Sequence, residues 1–347
     1  MQLDVQTFTV HKRFPLTISR GTTAQSTNVW VKIQHEGIEG WGEASPFSTG
    51  RQPQTTETII AVLEQITPTL TQFTPLERQS IQLVLSQTQL PSAACAAIDM
   101  ALYDWLGKKV GLPLWKLWGL DRSRIVPTSV TIGINTPEGA TRRVRDWLDY
   151  LDVRVLKVKL GSPEGIEADQ EMLQAVQAEA PTDTLFYVDA NGGWSLEDAI
   201  KMCDWLASVG VKYIEQPLAA DRAVEQLPQL SRKSSLPIFV DESCFTTQDI
   251  PRLAHCVHGI NIKLMKSGGL TEAMRMVHTA KAFGLEIMFG CYSDSALANT
   301  AASHLAPFAD YLDLDSHLNL VDDPFQGAVI QQGCLIPNDL PGLGVTM

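Results

Sequence analysis

The stretch VLKVKLG, residues 155–161, decides how this chain is read. Side chains alternate across a strand, so Val155, Lys157 and Lys159 share one face while Leu156, Val158 and Leu160 share the other. The second face is apolar enough to lie under helices. The first carries two ammonium groups in line and belongs neither in a hydrophobic core nor in open water, so something must need them there.

From about residue 125 the pattern recurs. Strand candidates are VPTSVTI (126–132), VRVLKVKLG (153–161), TLFYVDAN (184–191), VKYIEQP (211–217), LPIFVDES (236–243), GINIKLM (259–265), LEIMFGC (285–291) and DYLDLDS (310–316). Amphipathic helical stretches separate them, several opening on Ser or Thr and closing on Gly. Eight such strands predict an α/β fold, a parallel TIM-like barrel. The segment after the last strand is punctuated by Gly and Pro and offers no final helix, which makes the expectation (β/α)7β. Ahead of the barrel, residues 1–50 alternate in strand fashion with a hairpin at HEGIEG, and 54–119 are mostly helical. The expected division is an N-terminal α+β capping domain over 1–122, the barrel over 123–318, and a C-terminal segment over 319–347 packing back on the cap.

Composition narrows the partners. With 27 Lys+Arg against 39 Asp+Glu the formal net charge is -12, which offers no basic face for nucleic acid or an anionic membrane. A small-molecule substrate is the expectation. No apolar run of the length that crosses a bilayer occurs, and MQLDVQTFTVHKRF lacks a signal-peptide core, which points to the cytoplasm. A homo-oligomer is allowed by these features. The six cysteines are scattered without a C-x-x-C pair and read as free thiols. Cys244 and Cys291 fall near strand ends, but neither has a base beside it in sequence.

Active sites of such barrels form at the C-terminal ends of the strands. Asp189, Glu215 and Asp241 end three consecutive strand candidates, each one βα unit after the last. One alone could cap a helix or pair with a lysine. Three side by side repel unless a cation joins them, and a hard, oxygen-preferring divalent ion suits them. Lys159 ends the strand before this trio and Lys263, in NIKLM, the strand after it. Two amines facing each other over a metal suit removal of a proton from a carbon next to a carboxylate, with reprotonation from the opposite face. Lys157 lies about 7 Å from Lys159 along the strand, and their repulsion at an effective dielectric of about 20 is roughly 2 kcal/mol, enough to pull a lysine toward a base. His255 and His258 could share a helical face as a metal pair, though a surface pair explains them as well. SGG (267–269) is a weak candidate for an anion-cradling loop, and a tight turn serves equally.

GWGEASP (40–46) and AAIDMALYDWLGKKVGLPLWKLWG (96–119), followed in order by KVK, DANGGW, EQP, DES and INIKLMKSGG, resemble the enolase superfamily over nearly the whole chain. INIKLMKSGG and the later DLDS are most similar to its dipeptide epimerases, the L-Ala-D/L-Glu epimerase type among them. The resemblance implies magnesium as cofactor, Asp189, Glu215 and Asp241 as its ligands, and Lys159 and Lys263 as the acid/base pair. It implies Lys157 in the substrate site, with Lys266 and Asn191 in support. Arg20 would meet a distal carboxylate, Asp313 and Asp315 the ammonium group of a dipeptide, and Thr131 and Asp294 would complete the pocket. GCYSDS (290–295) departs from the Ala-Glu type, Asp294 standing where Glu is common. Rival readings are an o-succinylbenzoate synthase, N-acylamino acid racemase or cycloisomerase on the same scaffold, a metal-free Schiff-base aldolase, and a binding barrel without catalysis.

Overall fold

A computed structural model describes residues 1–49 and 53–347; residues 50–52, within the expected capping domain, lie outside the described residues. Three antiparallel strands open the chain, β1 (Gln2–Ile18), β2 (Gly21–His35) and β3 (Ile38–Ala44), and the last two turn at HEGIEG, where Glu36 and Gly37 take positive φ. Helices α1 (Thr56–Leu70), α2 (Arg78–Gln87) and α3 (Ser92–Val110) follow. The GWG motif has a steric reason. A Cβ on Gly42 would fall 2.0 Å from the Ala97 carbonyl oxygen, so α3, alanine-rich at its buried positions, lies directly on the backbone of β3.

After the single turn α4 (Leu114–Leu117) come eight parallel strands in sequential order: β4 (Val130–Ile132), β5 (Val155–Lys159), β6 (Leu185–Asp189), β7 (Ile214–Glu215), β8 (Ile238–Val240), β9 (Gly259–Ile262), β10 (Glu286–Gly290) and β11 (Tyr311–Asp313). The ends meet where Ser129 N–H donates to the Leu312 carbonyl at 2.9 Å and Leu314 N–H to Thr128 Oγ1 at 2.8 Å. Helices α5 (Pro137–Tyr150), α6 (Ile166–Glu179), α7 (Leu196–Ser208), α8 (Ala220–Ser231), α9 (Ile250–Leu253), α10 (Leu264–Ser267), α11 (Leu270–Ala282) and α12 (Ala296–Ser303) fill the connections, and only a 3₁₀ turn follows β11. The barrel forms at every expected strand. Each is shorter than its sequence pattern; after β4, the last residues of the pattern already leave the ladder and carry the polar groups of the barrel mouth.

Period two builds that mouth from below. Val155, Tyr187, Tyr213, Phe239 and Met288, with Tyr311 packed against them, make an apolar layer inside the barrel. Gly259 makes room for it, since a Cβ there would lie 2.1 Å from the Phe239 ring. Two residues farther along their strands stand Lys157, Asp189, Glu215, Asp241 and Asp313.

The tail forms the hairpin β12 (Val329–Gln331) and β13 (Cys334–Ile336), then meets α3 and α4: Leu343 N–H donates to Asp104 at 2.8 Å, and Leu114 N–H to the Gly342 carbonyl. His304, fully buried, fastens this junction. Its Nδ1 accepts from Trp115 N–H at 3.1 Å and its Nε2 donates to the Leu343 carbonyl at 3.0 Å, an arrangement that needs the neutral ring. Burial pushes its pKa down to about 4. A depressed histidine stabilises the fold above its unfolded value and loses that contribution as the pH falls from about 6.5 toward 4, about 3 kcal/mol over that window. Thermal unfolding of the wild type should therefore steepen with acid across pH 6.5–4, and His304→Ala should be less stable at pH 7 but flatter in that window; parallel curves for the two proteins would refute the assignment. No helix among the described residues is long and apolar enough to cross a membrane.

Candidate active site

Parallel register sets the site. Lys159 pairs with Asp189 and Asp189 with Glu215 on adjacent strands, while Asp241 stands just past β8 and Lys263 just past β9. Burial is complete or nearly so: Lys157, Asp189, Glu215 and Asp241 are 0 % exposed, and Lys159 and Lys263 only 6 % and 5 %. Charges buried to this depth persist only when paired. Lys159 Nζ lies 2.6 Å from Asp189 Oδ2; Lys263 Nζ is 2.8 Å from Asp241 Oδ2; Lys266 Nζ reaches Asp241 Oδ1 at 2.6 Å and also donates to the Asn261 carbonyl. Lys157 Nζ sits 2.5 Å from Glu215 Oε2 and 2.6 Å from Asp313 Oδ2.

This corrects the tuning expected from the lysine doublet. Burial alone would lower Lys157, but Asp313, Glu215 and Asp189 around it raise its pKa well above the ordinary value, so it is a fixed cation whose charge those carboxylates spend. Burial likewise opposes, and Asp241, Tyr292 and Glu215 outweigh it, at Lys263, which is also held well above its ordinary value. On the acids, burial followed by Asp189 pushes Glu215 up to about 7, whereas at Asp241 the ammonium groups of Lys263 and Lys266 overcome burial and hold the carboxyl far below the usual range.

Among the described residues no three acidic, histidine or cysteine side chains form a ready-made metal site, because each carboxylate of the trio is turned onto a lysine. The donor set nonetheless suits a hard divalent ion. It is all oxygen, it sits on three neighbouring strand ends, and beside it Glu242 Oε2 and Asn191 Oδ1 are buried without accepting a hydrogen bond.

A cavity of about 430 Å³ opens over this cluster between cap and barrel. Lys159, Lys263, Asn191, Cys291 and Tyr292 line it from the barrel, and Lys12, Leu16, Ile18, Arg20 and Phe47 from the cap. The sequence reading did not single out Lys12, Phe47, Tyr292 or Glu242. Alternation in β1 could have found Lys12, because it shares parity with Leu16 and Ile18; nothing in the sequence marks the others.

The remaining candidates divide. Arg20 donates from Nη1 to the Asn191 carbonyl and from Nη2 to Glu242, both at 2.8 Å, so its charge is already matched within the protein. Asp313 is taken up by Lys157 and by Ser129 Oγ at 2.7 Å. Asp315, past the end of β11, accepts Thr131 N–H on Oδ2 at 2.7 Å, while Cys291 Sγ stands 3.9 Å from Oδ1; burial and Asp313 push its carboxyl up to about 6. Thr131 thus reaches the site through its backbone. Asp294 is turned into the seam between cap and barrel, accepting Ser45 Oγ at 2.6 Å near the buried Glu43. Burial followed by Asp315 raises the Cys291 thiol far up, which leaves it protonated and a poor nucleophile. His255 and His258 lie beyond α9, and His258 Nδ1 accepts Ile238 N–H. Just past the SGG turn, the first turn of α11 holds the protein's own anion: Asp99 of α3 accepts Thr271 N–H at 2.8 Å and Thr271 Oγ1 at 2.6 Å.

Residues 2–119 match the model of the mandelate racemase/muconate lactonizing enzyme N-terminal domain, and residues 139–347 that of the enolase C-terminal domain-like family. The chain is 46% identical over 345 residues to the hydrophobic dipeptide epimerase of Roseobacter litoralis, covering 99% of this chain and 98% of that one. It is 38% identical to the L-Ala-D/L-Glu epimerase of Bacteroides thetaiotaomicron, over 95% and 82% of the two chains. Among solved structures, the dipeptide epimerase of Enterococcus faecalis complexed with Mg and L-Leu-L-Tyr superposes with a TM-score of 0.89 at 32% identity, covering 100% of this chain and 99% of that one. That of Cytophaga hutchinsonii with Mg and D-Ala-L-Val gives 0.94 at 28%, covering 100% and 95%.

Proposed function

The chain belongs to the mandelate racemase/muconate lactonizing enzyme family of the enolase superfamily, and from that membership we propose that it is a magnesium-dependent isomerase that epimerises dipeptides with apolar side chains. The observation that carries this reading is the placing of Lys159 and Lys263 on either side of the three acidic strands, with both lysines lining one cavity. Asp189, Glu215 and Asp241 would hold the metal, with Asn191 and Lys266 fixing their orientation. Bound there, magnesium would supply positive charge to a substrate carboxylate that gains electron density as its α-proton leaves.

The chain's own groups do the rest. One lysine takes the α-proton from one face and the other returns a proton to the opposite face, which inverts the centre. Asp315 is the carboxylate with an oxygen left over to receive the dipeptide ammonium, since Asp313 is occupied by Lys157. Apolar side chains suit the wall: Leu16, Ile18, Phe47 and Tyr292 line the cavity, and Arg20 already has Glu242 as its counter-charge. The relatives named for hydrophobic dipeptides support the same choice. We further read the chain as the three units 1–122, 123–318 and 319–347, working in the cytoplasm with free thiols, without nucleic-acid or membrane partners, as a monomer or homo-oligomer.

The test is a dipeptide library screened for α-proton exchange in deuterated water. Dipeptides with Leu, Ile or Phe should exchange fastest and outpace L-Ala-L-Glu; a clear preference for acidic side chains would overturn the substrate class. Asp315→Asn should raise KM about tenfold or more for free dipeptides, because a charge-assisted hydrogen bond contributes roughly 1.5–3 kcal/mol. N-acetylation should harm the wild type as much and the variant little further. Equal turnover of acetylated and free substrates by the wild type would favour an N-acylamino acid racemase instead.

A further inference from the structure

Tyr292 belongs to GCYSDS, the segment that departs from the Ala-Glu pattern, and it stands where the cap meets the acid/base cluster. Its ring lies flat on that of Phe47 from the cap, with centroids 4.4 Å apart and planes 9° from parallel. Lys263 Nζ lies over the same ring, 4.4 Å from its centroid, while its other side meets Asp241 Oδ2 at 2.8 Å. No other aromatic ring stands over either of the two opposed lysines among the described residues; Lys159 is held by Asp189 alone.

We infer that Tyr292 is a positioning residue for Lys263: its ring, clamped by Phe47, gives the end of the lysine a π face to rest on when Asp241 is turned to a metal ion, and so sets the reach of Lys263 toward one face of the substrate α-carbon. This rests on the two-lysine reading above. The physical ground is the attraction of a cation to a ring face, which is strongest where water is excluded, as it is at a lysine only 5 % exposed. A lysine on a four-carbon stem has many rotamers, and pinning its end is what makes a proton transfer distance reproducible. The clamp also ties the cap to the chemistry, because Phe47 lies in the cap loop and touches the barrel through this ring.

The consequence is an asymmetry. Loss of the ring should weaken the proton transfers that Lys263 performs well beyond those of Lys159, whereas general damage to the loop or the cavity would slow both epimers alike. The experiment compares α-proton exchange in deuterated water for the two epimers of one accepted dipeptide, using the full chain with magnesium. Tyr292→Leu should slow exchange of the epimer that Lys263→Ala silences about tenfold more than it slows the other. Tyr292→Phe keeps the ring and should restore the lost exchange. Phe47→Leu, a change in the cap alone, should show the same asymmetry to a smaller degree and serves if Tyr292→Leu fails to fold. Equal slowing of both epimers in Tyr292→Leu or Phe47→Leu, or failure of Tyr292→Phe to restore exchange, overturns the inference. If instead Lys263→Ala itself shows no preference between epimers, it is the two-lysine reading that falls.

Discussion

Lys159→Ala should end epimerisation while leaving α-proton exchange alive in one epimer, and Lys263→Ala should do the same with the epimers reversed. The two lysines end strands four positions apart in the sheet order, β5 and β9, with the three acidic strands between them. They therefore approach a substrate held over those acids from opposite sides. A positioned general acid or base contributes about 10²–10⁴ in rate, so each alanine should cut kcat by at least about a hundredfold with a smaller change in KM. Proton exchange followed by NMR on each epimer separates the two roles. Wild-type epimerisation by either single variant would sink the two-base mechanism. Lys157→Met serves as contrast: its ammonium bridges Glu215 and Asp313 inside the barrel, and its removal leaves buried carboxylates without their counter-charge, which typically costs about 3–5 kcal/mol. That variant should lose stability before it reveals anything selective.

Much of this was legible in the sequence because strand period and chain order are local signals. The alternation in VLKVKLG places both lysines inside the barrel, and the regular spacing of Asp189, Glu215 and Asp241 places them on neighbouring strand ends, whatever the helices between them do. Partner identity was less legible. Lys157 looked like a source of repulsion because Lys159 is its neighbour in sequence, yet Glu215 and Asp313 reach it from strands 58 and 156 residues away. Arg20 shows the same limit, since its partner Glu242 comes from across the cap–barrel seam. Asp313 and Asp315 form a symmetrical pair on paper; the ladder ends between them and gives one to Lys157 and the other to the backbone of Thr131 and the thiol of Cys291. Tyr292 and Phe47 carry no sequence mark at all, because a stack between two loops of different domains has neither period nor motif.

Chelation should abolish turnover, magnesium should restore it, and Glu215→Gln should block the restoration. The trio and Asp313 are balanced by four lysines, so the cluster is close to neutral as it stands, and neutrality alone gives it no need of an ion. What argues for one is the chemistry the site must do: ammonium groups locked to carboxylates cannot take a proton, and the negative charge that gathers on a substrate carboxylate as its α-proton leaves needs a positive partner. A divalent cation shared by the three acids would answer both problems. Glu215→Gln keeps the shape and leaves Lys157 its contact with Asp313, so the variant should fold while losing one charged ligand of three. The readout need not be activity alone. An ion that binds only the folded chain stabilises it by about 2.7 kcal/mol at a hundred times its Kd, so millimolar magnesium should raise the Tm of the wild type measurably and that of Glu215→Gln far less. Full turnover after exhaustive dialysis against EDTA, or an equal rise in Tm for both proteins, would remove magnesium from these three residues and return the lysines to a metal-free mechanism.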